Sequence, residues 1–137
     1  MAKILVAASP EPRAIVERIL VGHELACAET MAQAEQLLRE RTFDLIICTI
    51  VFDESKIFDF LRHVKSRPEW QQIPFVCVRV RGNILRSPTA VEAAAFTSRQ
   101  MGAAAFLDIT DYQVEPEREL GEAIGRLLGS ASRSDGG

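Results

Sequence analysis

The sequence predicts an α/β fold in which a doubly wound parallel sheet carries helices on both faces. Segments with strand character and segments with helix character alternate along the chain, which is typical of a parallel sheet with helical crossovers. The strand-like segments are apolar throughout rather than alternating, as expected of strands that are covered on both faces. A length of 137 residues suits one domain with a substantial core.

The five predicted strands are short apolar runs bounded by polar residues, glycine or proline. The first run opens the chain, and the third carries the longest aliphatic stretch. We predict strands at residues 3–8, 23–28, 44–51, 73–80 and 104–108.

The predicted helices begin at capping residues and continue with apolar residues at helical spacing. Ser9 precedes a proline and is expected to cap the first helix with its hydroxyl group. Thr30 with Gln33, and Thr89 with Glu92, have the spacing of a capping box. We predict helices that end at glycines 22 and 102, a third helix at about residues 55–65, and a fifth at about residues 116–128.

Composition excludes several classes of function. Apolar residues make up 47% of the chain and charged residues 26%, which is typical of a soluble globular domain. The net charge of −3 argues against broad binding of nucleic acid or anionic membranes. The chain has no apolar run of membrane-span length and no secretory pattern, so we expect a cytoplasmic protein. Residues 1–129 are predicted to form the domain, and residues 130–137 a flexible tail or the start of a linker.

The cysteine and histidine residues suggest no metal or catalytic centre. Cys27, Cys48 and Cys77 lie in apolar strand-like runs without metal-ligand spacing, and we interpret them as core thiols. His23 and His63 are isolated from other ligand types in the sequence. Since no nucleophile is paired with a base, we predict that the protein is not an enzyme and uses no metal or cofactor.

Four fragments together resemble one family. They are KILV at residues 3–6, FDLII at 43–47, IPFV at 73–76 and GAAAFL at 102–107. In this order and spacing they make residues 3–129 resemble the receiver domain of bacterial two-component response regulators. The resemblance implies a flavodoxin-like sheet with strand order 2-1-3-4-5, whose functional edge lies at the carboxyl ends of the strands.

The resemblance also implies where a phosphorylation site would lie. Receivers carry two acidic residues after strand one, a phosphoacceptor aspartate ending strand three, a hydroxyl residue closing strand four and a lysine closing strand five. At these positions this chain has Ala8, Ser9, Thr49, Arg79 and Ile109. A threonine forms no acyl phosphate. Magnesium would lack the acidic residues that the family uses as ligands, and the charge that develops in phosphoryl transfer would lack the lysine. The chain therefore resembles a degenerate receiver, a pseudo-receiver.

Three further expectations concern the same edge. Phe106 occupies the aromatic switch position and, lacking a hydroxyl group, favours an inward, buried setting. Asp53 and Glu54 either approach the altered site or form a solvated turn at a helix amino terminus. Arg79 either crosses the pocket towards Asp53 or Asp108, or turns outward into water. Both pairs of alternatives remain open.

The loop that follows strand four is longer than in the family pattern. It places Arg79, Arg81 and Arg86 around Ile84 and Leu85. Apolar residues flanked by arginine are typical of a protein interface. The same loop could instead capture an anion near a helix amino terminus, or be a surface insertion without a role.

These observations predict a phosphorylation-independent signalling module that binds a protein partner. By analogy with the family, a homodimer is expected through the face formed by helix four, strand five and helix five. The alternative is a sensor of a small anionic ligand or nucleotide, which would use the emptied carboxyl-edge pocket and the loop from Arg79 to Arg86. No Gly-rich phosphate cradle supports that alternative.

Overall fold

A computed structural model describes residues 3–20, 22–49, 56–79 and 88–108, together with residues 122, 125 and 126. Within these ranges, strands and helices alternate as the sequence predicts. The elements are β1 Lys3–Ala7, α1 Pro10–Ile19, β2 Glu24–Ala28, α2 Met31–Glu40, β3 Leu45–Thr49, α3 Ile57–Ser66, β4 Phe75–Arg79, α4 Pro88–Gln100 and β5 Ala105–Asp108.

The five strands form one parallel sheet with the order β2-β1-β3-β4-β5. This order confirms the predicted flavodoxin-like topology. Four helices lie within the described ranges. The predicted fifth helix and the tail fall outside them, except that residues 122, 125 and 126 are described and helical.

The core consists of two apolar layers, one on each face of the sheet. One layer packs α2 and α3 on the sheet and includes Phe60 and Phe75, whose ring centroids lie 5.6 Å apart. The other packs α1 on the opposite face through Val16 and Leu20. Successive strand residues point to opposite faces of the sheet, and each face is covered by a core layer, so the residues on both faces must be apolar. This explains why the strand sequences show no alternation.

The first two helices begin differently although both follow a strand. The Thr30 hydroxyl accepts a hydrogen bond from the Gln33 N–H at 3.2 Å, which confirms the predicted cap. The Gln33 side chain accepts from the Glu29 N–H at 2.8 Å, one residue before the usual position. Ser9 has the backbone of an N-cap, but its hydroxyl makes no capping hydrogen bond, so that expectation is wrong. Pro12 stands at the third helical position and has no N–H to donate.

Several boundaries differ from the predicted ones. Helix α4 already includes Pro88, so Thr89 lies within its first turn and does not precede the helix. Gly22 and Gly102 have φ angles of 98° and 105°, the left-handed conformation expected at helix ends. Within the described ranges, four strands start one or two residues later than predicted, and β1 ends one residue earlier. Ala8, for example, lies beyond β1 although its N–H still donates to the Ala28 carbonyl at 2.9 Å.

Candidate functional site

The carboxyl ends of β1 and β3 bring two of the predicted site positions side by side. Ala7 pairs with Cys48, and Ala8 and Thr49 follow at the same edge of the sheet. Both residues are 0% exposed to solvent. We call the surroundings of Ala8, Thr49 and Arg79 the carboxyl edge. At its centre this edge is apolar and closed to water.

Thr49 is one of two wholly buried polar residues in the described part of the chain. Its side-chain oxygen makes no hydrogen bond to any described residue. Its main-chain carbonyl accepts a weak bond from the Cys48 thiol at 3.7 Å. A buried hydroxyl without a partner costs free energy, and it is no substitute for a carboxylate.

The described residues of the carboxyl edge do not fit a magnesium ion. Magnesium prefers hard oxygen ligands and usually at least one carboxylate. Ala8 offers no ligand atom in its side chain, and Thr49 offers only a neutral hydroxyl. Among the described residues, no cluster of three or more acidic, histidine or cysteine side chains is arranged to hold a metal.

Arg79 ends β4 one residue beyond the pair formed by Thr49 and Val78, and its backbone pairs with Asp108 of β5. The side chain is partly buried, and its Nε atom is shielded from solvent. A guanidinium remains charged at every accessible pH and is costly to bury. The side chain is therefore not fully solvated, and its contact with Asp53 or Asp108 stays a prediction.

Phe106 lies on β5 opposite Cys77 of β4. It is partly buried and packs against the core layer on the α2 and α3 side of the sheet. An aromatic ring without a polar handle gains free energy from such a contact. It is partly and not fully buried, and its role as a switch residue stays a prediction.

The remaining predicted site positions fall outside the described residues and stay predictions. These are Asp53, Glu54, Arg81, Ile84, Leu85, Arg86 and Ile109. The proposed anion-binding loop is therefore represented in the structure by Arg79 alone.

The three thiols are protonated, and two of them, Cys48 and Cys77, lie in the core. Burial raises the pKa of the Cys48 thiol well above its ordinary value, and raises the pKa of Cys77 to about 12. Cys27 is only partly buried. Burial and the carboxylate of Glu17, which accepts from the Cys27 sulfur at 3.3 Å, raise its pKa to about 11. A reactive cysteine needs a lowered pKa, and none of the three has one.

Two features at other places in the fold were not predicted. Phe96 of α4 is 64% exposed and is the only exposed large apolar side chain among the described residues. The signal in the sequence was an aromatic residue inside an otherwise alanine-rich helix. His63 is not isolated: its Nε2 lies 3.6 Å from Glu35 Oε1, and its ring meets the edge of Trp70. These contacts join α2, α3 and the turn after α3.

No helix in the described ranges is long and apolar enough to cross a bilayer. No model of a protein family matches this chain, and no curated protein sequence matches it either. Similarity is found at the level of three-dimensional structure.

The solved structures most similar to this chain include several receiver domains. The receiver domain of a signal transduction histidine kinase from Syntrophus aciditrophicus superposes with a TM-score of 0.76 at 23% identity, over 97% of this chain and 94% of that one. A response regulator receiver domain protein from Clostridium thermocellum gives 0.74 at 18%, over 96% and 98%. The chemotaxis response regulator CheY4 of Vibrio cholerae gives 0.69 at 22%, over 93% and 98%. The chain therefore has the receiver fold.

Proposed function

We propose that this chain is a pseudo-receiver: a signalling module that regulates by binding a protein and performs no acyl-phosphate chemistry. The observation that carries the proposal is the fully buried pair of Ala8 and Thr49 at the carboxyl edge. Its receiver-domain neighbours support a role in two-component signalling. Under this proposal the protein is not an enzyme.

The physical argument concerns charge. A phosphoryl group brings negative charge that must be met by a metal ion or by fixed cations. At the carboxyl edge it would meet the methyl groups of Ala8 and Thr49 instead of carboxylate-bound magnesium. The partly buried Arg79 supports the same proposal, because a guanidinium at this edge supplies a positive charge that needs no phosphate. We propose that the site is held in one state.

The surface that we propose for a protein partner is the face of α4 and β5, with the predicted fifth helix completing it. Phe96 projects from α4 with 64% exposure, and Glu92 and Arg99 lie exposed on the same helix, one turn before and after it. An aromatic anchor flanked by charge is typical of an interface centre. A homodimer through this face is the specific form we propose, by analogy with other receivers.

The first experiment asks whether the acyl-phosphate site exists. Melting temperature is measured with and without magnesium and beryllofluoride, beside a receiver domain that retains its aspartate. The proposal expects a shift below about 1 °C, because no complex forms to stabilise the fold. Incubation with acetyl phosphate followed by mass spectrometry should show no added phosphoryl group.

A magnesium-dependent shift of several degrees would contradict the proposal. The double substitution of Asp53→Asn and Glu54→Gln would then locate the source. Loss of the shift in that variant would mean that these acids have rebuilt a metal site.

The second experiment tests the partner face. Light scattering gives the molecular mass of the wild-type protein, of Phe96→Ser and of the control Thr97→Ala on the same helix. We expect a dimer mass for the wild type and the control, and a shift towards monomer for Phe96→Ser. A monomer for all three proteins would end the homodimer proposal, and a dimer for all three would assign the interface to another face.

A further inference from the structure

A cavity of about 540 Å³ lies at the opposite edge of the sheet from Thr49. It opens where α2 ends, where the chain enters β3, and where the turn after α3 leads towards β4. We call this the amino-edge cavity. Its volume falls within the range of small-molecule sites, and nothing in the proposed function uses it.

The floor of the cavity is apolar and aromatic. Phe43 and Trp70 form it together with Leu38, and Trp70 is 4% exposed. The Arg67 guanidinium lies 5.3 Å from the centroid of the Trp70 ring, and the His63 ring meets Trp70 at an angle of 66°. These contacts fix the indole in one orientation. A rigid aromatic floor favours an aromatic ligand, since rings pack on rings with a gain beyond area alone.

The rim carries charges of both signs, and most of them are already paired. Arg39 forms an ion pair with Glu35, one helical turn before it. Gln36 Nε2 donates to Glu40 Oε1 at 3.0 Å. Arg67 Nη2 lies 2.8 Å from Glu69 Oε1. The two carboxylates of the rim are therefore hydrogen-bonded within the protein.

Arg41 differs from the other rim charges. Its backbone is fixed by a hydrogen bond from its N–H to the Leu37 carbonyl at 2.9 Å. Its side chain is exposed and forms no ion pair or hydrogen bond with the part of the chain that the structure describes. The guanidinium is always charged and binds carboxylates in a bidentate manner. Among the described charged side chains that line the cavity, it is the one without a partner in that part of the chain.

We propose that the amino-edge cavity binds a small aromatic carboxylate, with its ring on Phe43 and Trp70 and its carboxylate on the Arg41 guanidinium. An apolar floor with one charged group to orient the ligand is the usual construction of a small-molecule site. The α2 carbonyls at the same edge carry partial negative charge and oppose an anion. The experiment therefore tests whether the cavity prefers an anionic, a neutral or a cationic ligand.

Trp70 provides the readout because it is the only tryptophan in the chain. The full chain is titrated with phenylacetate, with neutral phenylacetamide and with cationic phenethylamine, while Trp70 emission is recorded. The three probes share a ring and differ in charge. We expect a saturable change with phenylacetate at millimolar or lower concentration, and affinities about tenfold weaker for the other two.

Two variants test the role of Arg41. Arg41→Gln should weaken phenylacetate about tenfold and leave phenylacetamide unchanged, because one charge-assisted hydrogen bond is lost. Arg62→Gln is the matched control: Arg62 is an exposed arginine on α3 that does not line the cavity, and its loss should change neither affinity. Melting curves of both variants check that they fold.

Three results would overturn the proposal. Absence of any saturable change would show that the cavity binds no such ligand. Equal affinity for the three probes would show that Arg41 does not select the carboxylate. Tighter binding of phenethylamine would show that the helix carbonyls, and not Arg41, set the preferred charge. The wild-type comparison alone decides these points if a variant fails to fold.

Discussion

The two edges of the sheet differ in what they expose. At the carboxyl edge, where doubly wound folds usually bind their ligands, Ala8 and Thr49 are wholly buried. At the opposite edge, a cavity floored by the buried rings of Phe43 and Trp70 lies beneath a charged rim that includes Arg41. A fold specifies where a site usually lies, but the side chains decide which edge carries polar chemistry.

Hydrogen bonds between side chains and the main chain fix the segments at the amino edge. Lys65 Nζ donates to the carbonyls of Gln71 and Ile73 at 2.9 and 3.1 Å, which holds the turn that carries Trp70. The Asp44 carboxylate accepts from the Lys3 N–H at 2.9 Å, as expected for an acid at this end of β3. Polar groups thus anchor segments next to the cavity, whereas the centre of the carboxyl edge is closed by apolar packing.

The largest expected effect comes from placing a charge in the closed edge. Thr49→Asp should lower the free energy of unfolding by about 3–5 kcal/mol near neutral pH, because a carboxylate at this wholly buried position loses its hydration. Thr49→Val should change it by less than about 1 kcal/mol, because the Thr49 oxygen makes no hydrogen bond to the described residues. Urea denaturation of both variants measures the difference.

The opposite order of stability for the two Thr49 variants would contradict the conclusion that the carboxyl edge is closed and the amino edge is open to charge. If Thr49→Asp were as stable as the wild type while Thr49→Val lost several kcal/mol, water or a cation would have to reach the carboxyl edge. A matched Arg41→Asp substitution at the exposed amino edge should cost little, since surface changes are usually within about 0.5 kcal/mol.

The sequence predicts the framework of this molecule better than its sites. Strand order, the two-faced core and the Thr30 cap follow from apolar runs, capping residues and the receiver resemblance. The cap predicted at Ser9 is absent, and the residue at the third helical position, Pro12, has no N–H to donate to it, although proline itself favours helix starts. At this position the preference of proline for helix starts conflicts with the need of the cap for an N–H donor.

The amino-edge cavity was not predicted because no local pattern encodes it. Trp70, Phe43 and Arg41 come from a turn, a strand approach and a helix end, and only tertiary packing brings them together. Whether Arg41 is paired also depends on the partners of its neighbours. By contrast, the loss of charge at Thr49 is visible in the sequence because the fold itself places that position.

An intermediate effect should appear at alkaline pH, next to the closed edge. Burial raises the pKa of Cys77 to about 12 from an ordinary 9.0, and that of Cys48 rises as well. The unfolded chain then releases these protons first, so the stability is complete below about pH 9 and is lost as pH rises. At pH 10 we expect a loss on the order of 1 kcal/mol for each buried thiol.

Urea midpoints measured between about pH 8 and pH 10 check this sign. Lys65 acts in the opposite direction: burial lowers its pKa, so its contribution to the free energy of unfolding rises with pH. This contribution is the smaller one, because Lys65 is only partly buried and opposes two thiols. The double variant of Cys48→Ala and Cys77→Ala should show a flatter pH dependence. A wild-type stability that stays level to pH 10 would mean that the thiols are accessible and that water penetrates the carboxyl edge.

The smallest effects compare two helix starts that both lie at the carboxyl edge. Thr30→Ala should lower the free energy of unfolding by about 1 kcal/mol, because the Gln33 N–H loses its acceptor. Ser9→Ala should change it by only a few tenths, since the Ser9 hydroxyl makes no capping bond. Chemical denaturation of the two variants, measured side by side with the wild type, resolves this difference. Equal losses would mean that Ser9 bonds a group at the carboxyl edge in solution, and that this edge retains a polar function which its buried centre at Ala8 and Thr49 does not reveal.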